Sequence, residues 1–238
     1  MFVLVHSPLV GPTSWLPVKE ELERRGRVAV VPSLRGVAEA PEPQWRHVPR
    51  AVRMATRHLH RRIILVGHSG AGLLLPGTAD DSDNEVAALI FVDSFLPPAA
   101  GRVPLASPAL MDRLRAAATE GVLAPWSRWF GADAMHELVP DERMRAVLEA
   151  EMPRLPLSYF QATVPVPEDW LNRPCGYVLL SAAAYGDSAA EARAYGWPVI
   201  EIRDVGHLAV ATSAISVTDA LLDVECFLQQ SPRSASRT

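Results

Sequence analysis

The residues with the clearest chemical potential lie in the segment Gly67-His68-Ser69-Gly70-Ala71-Gly72, where a serine stands among small residues. Residues 61–66 are rich in β-branched side chains and predict a strand, and a helix is predicted from Gly70 onward. A tight strand-to-helix corner forces its central residue into a strained conformation that small neighbours tolerate. Ser69 would then stand clear of the sheet, with helix N–H groups behind it that stabilise a negative oxygen. This pattern favours a serine nucleophile.

This corner resembles that of the α/β-hydrolase superfamily, and the resemblance implies a late histidine as the base for the serine. Of the seven histidines, His207 in the segment Gly206-His207-Leu208 is the one that follows the last predicted strand, residues 199–202. An imidazole at that place can take the proton of Ser69 and return it to a leaving group. The predicted roles are therefore Ser69 as nucleophile and His207 as general base.

Two carboxylates compete for the role of the acid that orients His207. Asp93 ends the predicted strand of residues 86–92. Asp187 follows the next predicted strand, residues 177–180. The segment Ser188-Ala-Ala-Glu191 is typical of a capping box, so Asp187 can instead support a helix N-terminus. We favour Asp93 and keep Asp187 as the alternative.

The order of serine, acid and histidine resembles that of the α/β-hydrolase superfamily. The resemblance covers about residues 1–228 and depends on three motifs: the corner at Ser69, the loop His6–Trp15 after the first strand, and Gly206-His207. Ala71 departs from the second glycine of the usual G-x-S-x-G pattern. The resemblance implies an α/β fold with a mostly parallel sheet, helices on both faces and a helical cap insertion. In most relatives the acid stands where Asp187 does, and in some it stands where Asp93 does.

The loop after the first strand departs from the family at the oxyanion hole. The family's loop donates one backbone N–H to the oxyanion from the position held here by Pro8, which has no N–H. The amide of Gly70 is the other expected donor. The missing donor has three alternative explanations: the N–H of Leu9 replaces it, the hydroxyl of Ser7 replaces it, or the reaction develops no acyl oxyanion.

The elements around these residues alternate strand, loop and helix, which indicates a parallel sheet. The strand pattern is missing between residues 97 and 174, where helical segments are predicted at 109–119 and 141–151. We expect residues 1–96 and 175–230 to form the core and residues 97–174 to form the cap. The cap would lie over the sheet edge where open α/β sheets bind ligands. Residues 231–238 are polar and predict a disordered tail.

Aromatic residues of the cap are the predicted wall of an apolar substrate pocket. The residues expected there, together with one from the first loop, are Trp126, Trp129, Phe130, Tyr159 and Pro8.

The composition narrows the functional classes. The 238-residue chain has a net charge of −4, which argues against a nucleic-acid partner or an anionic membrane surface. No apolar run approaches the ~20 residues of a membrane helix, and no signal-like segment precedes the first strand, so a cytoplasmic location is expected. No dinucleotide fingerprint, phosphate loop or metal-ligand spacing is present, and we expect neither cofactor nor metal. The expected partner is a small-molecule substrate, and a homodimer stays open as an alternative to a monomer.

The leading functional hypothesis is a cofactor-free serine hydrolase. Its substrate would be an ester, thioester or lactone of a moderately apolar small molecule, cleaved through an acyl-Ser69 intermediate. Pro8 motivates the main alternative, a lyase or cyclase on the same scaffold in specialised metabolism. A non-catalytic small-molecule receptor is the remaining alternative.

Overall fold

The structure, a computed structural model, describes residues 1–131 and 133–230. The predicted disordered tail, residues 231–238, lies outside the described residues. The strands are β1 (Phe2–Val5), β2 (Ala29–Val30), β3 (Ile63–His68), β4 (Val86–Val92), β5 (Gly101–Pro104), β6 (Thr163–Val166), β7 (Cys175–Leu179) and β8 (Val199–Glu201). The α-helices are α1 (Leu16–Arg24), α2 (His47–Thr56), α3 (Leu75–Asp80), α4 (Pro108–Ala117), α5 (Ala134–Leu138), α6 (Glu142–Glu151), α7 (Leu157–Gln161), α8 (Ala182–Ala194), α9 (Ala209–Thr212) and α10 (Ala214–Gln230).

Six strands form one parallel sheet in the order β2-β1-β3-β4-β7-β8. Successive side chains of a strand point to opposite faces, and both faces are apolar here. In β3, Ile63 and Leu65 pack on the side of α2, α3 and α8. Ile64 and Val66 pack on the side of α1 and α10. The predicted α/β architecture with helices on both faces of a mostly parallel sheet is confirmed.

The register between β3 and β4 determines where the candidate nucleophile and acid lie. His68, the last residue of β3, pairs with Val92, the last residue of β4. Ser69 and Asp93 therefore leave two adjacent strands at the same edge of the sheet. Both adopt a left-handed backbone, with φ of 55° at Ser69 and 46° at Asp93. This conformation is uncommon in residues other than glycine and is often found at functional sites.

The segment between β4 and β7 contains helices α4 to α7 and also a small antiparallel sheet of β5 and β6. The prediction that residues 97–174 lack strands is wrong. Each of these strands has four residues and includes a proline, Pro104 or Pro165, so neither carries the alternating apolar pattern that identifies a strand. Within residues 1–131 and 133–230, no helix combines the length and apolarity needed to cross a membrane.

Candidate active site

Ser69 occupies the corner between β3 and a 3-10 helix formed by Ser69–Leu74. The predicted strand-to-helix turn is present, although its first part is a 3-10 helix. Gly67, two residues before Ser69, is explained by the close approach of α3. A Cβ atom on Gly67 would lie 2.7 Å from Cγ of Leu75, closer than real side chains come. A glycine at position 67 therefore lets the helix pack directly behind the corner. The Ser69 side chain remains partly exposed.

Asp93 is fully buried and is surrounded by hydrogen-bond donors. His207 Nδ1 lies 2.7 Å from its Oδ2 atom. The backbone N–H groups of Leu180 and Ser181 donate to Oδ1 at 2.9 and 2.8 Å, and the Ser181 hydroxyl donates to Oδ2. Burial alone raises the pKa of a carboxyl group, but the hydrogen bonds from His207 and Ser181 outweigh it and hold the pKa of Asp93 below its usual value. Asp93 is thus an ionised partner for His207.

The alternative acid, Asp187, is not the partner of His207, whose Nδ1 atom faces Asp93. Helix α8 begins at Ala182, so Asp187 lies within the helix and on its exposed side. The prediction that a capping box at Ser188 opens this helix is also wrong. The alanine-rich start has high helix propensity and extends the helix back to the end of β7. Ser181 is the residue before the helix, and its hydroxyl binds Asp93 rather than a helix N–H group.

The imidazole of His207 is held by one carboxylate and three aromatic rings. Its Nδ1 atom faces the Asp93 carboxylate, which can only accept, so Nδ1 carries the proton and Nε2 has the free lone pair. Tyr185 stacks on the ring with centroids 5.3 Å apart and planes 16° apart. The centroids of His68 and Trp126 lie at 4.6 and 6.1 Å. His207 is consequently restrained in the tautomer that a general base needs.

His68 supports the backbone of His207 and is not marked as important by the sequence pattern. Its Nε2 atom lies 2.9 Å from the carbonyl oxygen of His207. Because a carbonyl oxygen only accepts, this nitrogen must be the donor. Burial, together with the neighbouring His207, lowers the pKa of His68 to about 3, so the ring is neutral. His68 thus ties the end of β3 to the loop that carries His207.

A second buried histidine organises the loop after β1. Leu34 donates its N–H to His6 Nε2 at 3.0 Å, and His6 Nδ1 donates to the carbonyl oxygen of Ser7 at 2.8 Å. The Nδ1 tautomer is required for both bonds. Burial lowers the pKa of His6 to about 4, so the imidazole is neutral at physiological pH. The position of Ser7 is therefore set by a fully buried group.

The oxyanion candidates lie together beside the corner. Pro8 is buried and, as predicted, offers no N–H to the site. The N–H of Leu9 lies 3.3 Å from Ser7 Oγ and is directed at that hydroxyl. A Cβ atom built on Gly70 would be 3.3 Å from the same Oγ atom. The hydroxyl of Ser7 thus lies next to Gly70, and its own hydrogen is available for donation.

A cavity of about 740 Å³ opens above these groups, and both Ser69 and His207 line it. Its volume is in the range of small-molecule sites. All five residues expected in the pocket line it: Pro8, Trp126, Trp129, Phe130 and Tyr159. Sequence reasoning did not identify other lining residues, among them Leu73, Phe95, Leu110, Leu114, Phe160 and Tyr185. The sequence pattern does not indicate Tyr185, because the capping box at Ser188 predicts a later start for α8 than Ala182.

Comparison with known proteins identifies the family. The model of the Alpha/beta hydrolase family matches residues 2–218. The chain is 26% identical over 219 residues to a carbendazim hydrolyzing esterase of Nocardioides sp. (strain SG-4G), which covers 82% of this chain and 80% of that protein. It is 29% identical over 103 residues to Methylesterase 8 of Arabidopsis thaliana, and this match spans 40% of the chain and only 38% of that protein.

Solved structures agree with the sequence comparisons at the level of the fold. An extracellular alpha/beta-hydrolase from a Paenibacillus species superposes with a TM-score of 0.72 at 15% identity. The match covers 94% of this chain and 98% of the Paenibacillus protein. Since the family model spans nearly the whole chain and the fold agrees, this protein belongs to the alpha/beta hydrolase family.

Proposed function

We propose that this protein is a serine esterase that cleaves esters of largely apolar small molecules through an acyl-Ser69 intermediate. The observation that carries the proposal is the 2.7 Å contact between His207 Nδ1 and buried Asp93, next to the cavity that Ser69 also lines. The names of the two sequence relatives, an esterase and a methylesterase, support cleavage of an ester bond. Thioesters and lactones react by the same acyl transfer and are further candidate substrates.

The proposed reaction has two halves. Ser69 Oγ attacks the carbonyl carbon while His207 Nε2 takes the serine proton, and Asp93 stabilises the resulting imidazolium. The tetrahedral intermediate collapses, and His207 gives the proton to the departing alcohol oxygen, leaving an acyl ester on Ser69. A water molecule then attacks the acyl carbon with His207 as its base, and the acid product leaves as Ser69 regains its proton.

The proposed oxyanion hole combines one amide and one hydroxyl. Gly70 donates its backbone N–H from the residue after the nucleophile, as the strand-to-helix corner requires. Ser7 replaces the amide that Pro8 lacks. The Leu9 N–H points at Ser7 Oγ, which occupies a lone pair of that oxygen and leaves the Ser7 hydrogen for the oxyanion. This arrangement favours Ser7 over Leu9 as the second donor.

The cavity wall supports an apolar substrate. The rings of Trp126, Trp129 and Phe160 line it together with several leucines. Of the charged residues in the lining, Arg113, Arg128 and Glu137, all are solvent-exposed. Burial of an aromatic or branched aliphatic group against such a wall provides binding energy without requiring a charged partner. Aryl and branched-alkyl esters are therefore the substrate class to test first.

A fluorophosphonate probe and naphthyl esters test the proposal. The wild-type protein should be labelled at one serine, mapped by peptide mass spectrometry to Ser69, and should hydrolyse the esters. Ser69→Ala should lose labelling and at least about 10⁴-fold of kcat, as expected when a nucleophile is removed. Ser33→Ala, which alters an exposed serine, is the control. Wild-type turnover in Ser69→Ala, or labelling at another serine, would contradict the proposal.

Pro8 favours one second candidate, an elimination or ring-forming reaction without an acyl intermediate. In that reaction His207 moves a proton and Ser69 forms no covalent bond. Acid quenching during turnover distinguishes the two reactions, because the esterase accumulates Ser69 with the added mass of the acyl group. Turnover that requires His207 with no acyl adduct would favour the second candidate. A non-catalytic receptor would show neither labelling nor turnover.

A further inference from the structure

The start of α8 and the residue before it contact the acid and the base of the proposed site. Ser181, just before the helix, donates its N–H and its hydroxyl to Asp93. Tyr185 lies four residues later, and its N–H donates to the Ser181 carbonyl oxygen at 3.0 Å. Residues four apart share one face of a helix. Tyr185 is thus directed at the same edge of the sheet as Ser181.

Tyr185 packs on the proposed base there. Its ring stacks on the imidazole of His207, with the planes only 16° apart. Tyr185 and Ser69 both line the cavity. Burial raises the pKa of Tyr185 above its usual value, so the phenol keeps its hydrogen at neutral pH. A neutral aromatic ring therefore covers one face of the group that moves the proton.

We propose that Tyr185 is a positioning residue for the esterase reaction, acting on His207 through ring stacking. The inference rests on the proposed function and adds a residue to it. The stacked ring prevents the imidazole from rotating away from the plane in which Nδ1 meets Asp93. This restraint lowers the cost of reaching the reactive geometry.

The role of the ring can be tested by substitution. Tyr185→Phe keeps the ring and removes the hydroxyl, whereas Tyr185→Leu removes the ring. Tyr195→Phe is the matched control, because Tyr195 caps the other end of the same helix and its hydroxyl bonds to Glu191. Thermal unfolding of all variants shows whether each one is folded.

The rate of fluorophosphonate labelling of Ser69 is the main readout, since it reports activation of the nucleophile without deacylation. We expect Tyr185→Leu to slow labelling and kcat by about 10²-fold, the loss typical of a misplaced reacting group, with KM changed less than about threefold. Tyr185→Phe keeps the stacked ring and should stay within about threefold of the wild-type rate. Tyr195→Phe should match wild type.

Four results would overturn the inference. Tyr185→Leu could label at the wild-type rate, could raise KM alone as a simple wall residue would, or could lose no more activity than Tyr195→Phe. A Tyr185→Phe rate as low as that of Tyr185→Leu would also contradict it, because the stacked ring is retained in that variant. Failure of the proposed function looks different, because the wild-type protein itself would then show no labelling of Ser69.

Discussion

At the scale of single residues, the charge on Asp93 is the feature that most needs explanation. A carboxylate with no solvent exposure is strongly disfavoured unless donors surround it. Here the donors come from two places, the turn after β7 and the loop of His207. Tyr177 additionally holds the next residue, since its hydroxyl donates to the Ser94 carbonyl at 2.7 Å and accepts from the Ser94 N–H at 3.1 Å. The turn after β4 is therefore held both by the hydrogen bonds to Asp93 and by those to Ser94.

Substitution of Asp93 tests its assignment as the acid. Asp93→Asn keeps the shape but removes the charge that selects the Nδ1 tautomer of His207. We expect kcat for naphthyl esters to fall by about 10³–10⁴-fold, as in serine enzymes whose acid is replaced. Asp187→Asn is the matched control at the rejected position and should stay within about twofold of wild type. A larger loss of kcat in Asp187→Asn than in Asp93→Asn would contradict the assignment of Asp93 as the acid.

At the scale of elements, Glu151 joins the last turn of α6, in the segment between β4 and β7, to the loop after β1. Its carboxylate accepts from the Thr13 N–H at 3.0 Å and the Thr13 hydroxyl at 2.8 Å, and it pairs with Arg35. A Cβ atom on Gly11 would overlap Glu151 Oε2 at 2.0 Å, so a glycine is required for this close approach. The loop that carries Ser7 and Pro8 is thus attached to α6 as well as to the sheet.

Removal of the contacts between Glu151 and Thr13 should lower the free energy of unfolding. Glu151→Ala leaves a partly buried N–H of Thr13 without its acceptor, and we expect the free energy of unfolding to fall by about 1–3 kcal/mol. Urea unfolding followed by circular dichroism provides the measurement. Glu149→Ala, in the same helix turn, is the control and should change stability by less than about 0.5 kcal/mol. Equal losses in the two variants would show that the contact is unimportant.

The elements were predictable where a local pattern matched the tertiary environment. Strands β3 and β4 are continuous apolar runs because both faces are covered, and the corner at Ser69 follows directly from β3. His207 could be identified because it follows the last strand. The start of α8 could not be identified from the sequence, because Ser188 and Glu191 match a capping box. The helix begins earlier, at Ala182. Partners such as Tyr185 and His68 depend on three-dimensional proximity that no local pattern encodes.

At the scale of the whole molecule, two neutral buried histidines link stability to pH. Burial lowers the pKa to about 4 for His6 and about 3 for His68, whereas an unfolded histidine titrates near about 6.5. As the pH falls below that value, the unfolded chain binds protons that the folded chain does not. Each histidine therefore lowers the free energy of unfolding by about 1.4 kcal/mol per pH unit, until the pH reaches its folded pKa.

This linkage predicts a loss of stability as the pH falls from about 6.5 to about 5, above the range in which ordinary carboxyl groups titrate. Urea unfolding at pH 7, 6 and 5 should show the decrease. His6→Gln can still accept from Leu34 but does not titrate, so its stability should depend on pH about half as steeply as that of wild type. His136→Gln, which alters an exposed histidine, should leave the slope unchanged. A wild-type stability that is flat over this range would contradict the burial of both histidines as neutral groups.

The division of the cavity wall between two parts of the chain has an evolutionary and practical consequence. The proposed nucleophile, acid and base lie at strand ends and loops of the central sheet, whereas the rings of Trp126, Trp129 and Phe160 come from the segment between β4 and β7. A graft with two crossover points, after β4 and before β7, would exchange most of the recognition surface and leave the reactive groups in place. Recombination of this segment can therefore change which substrates such an enzyme binds without replacing its reactive groups.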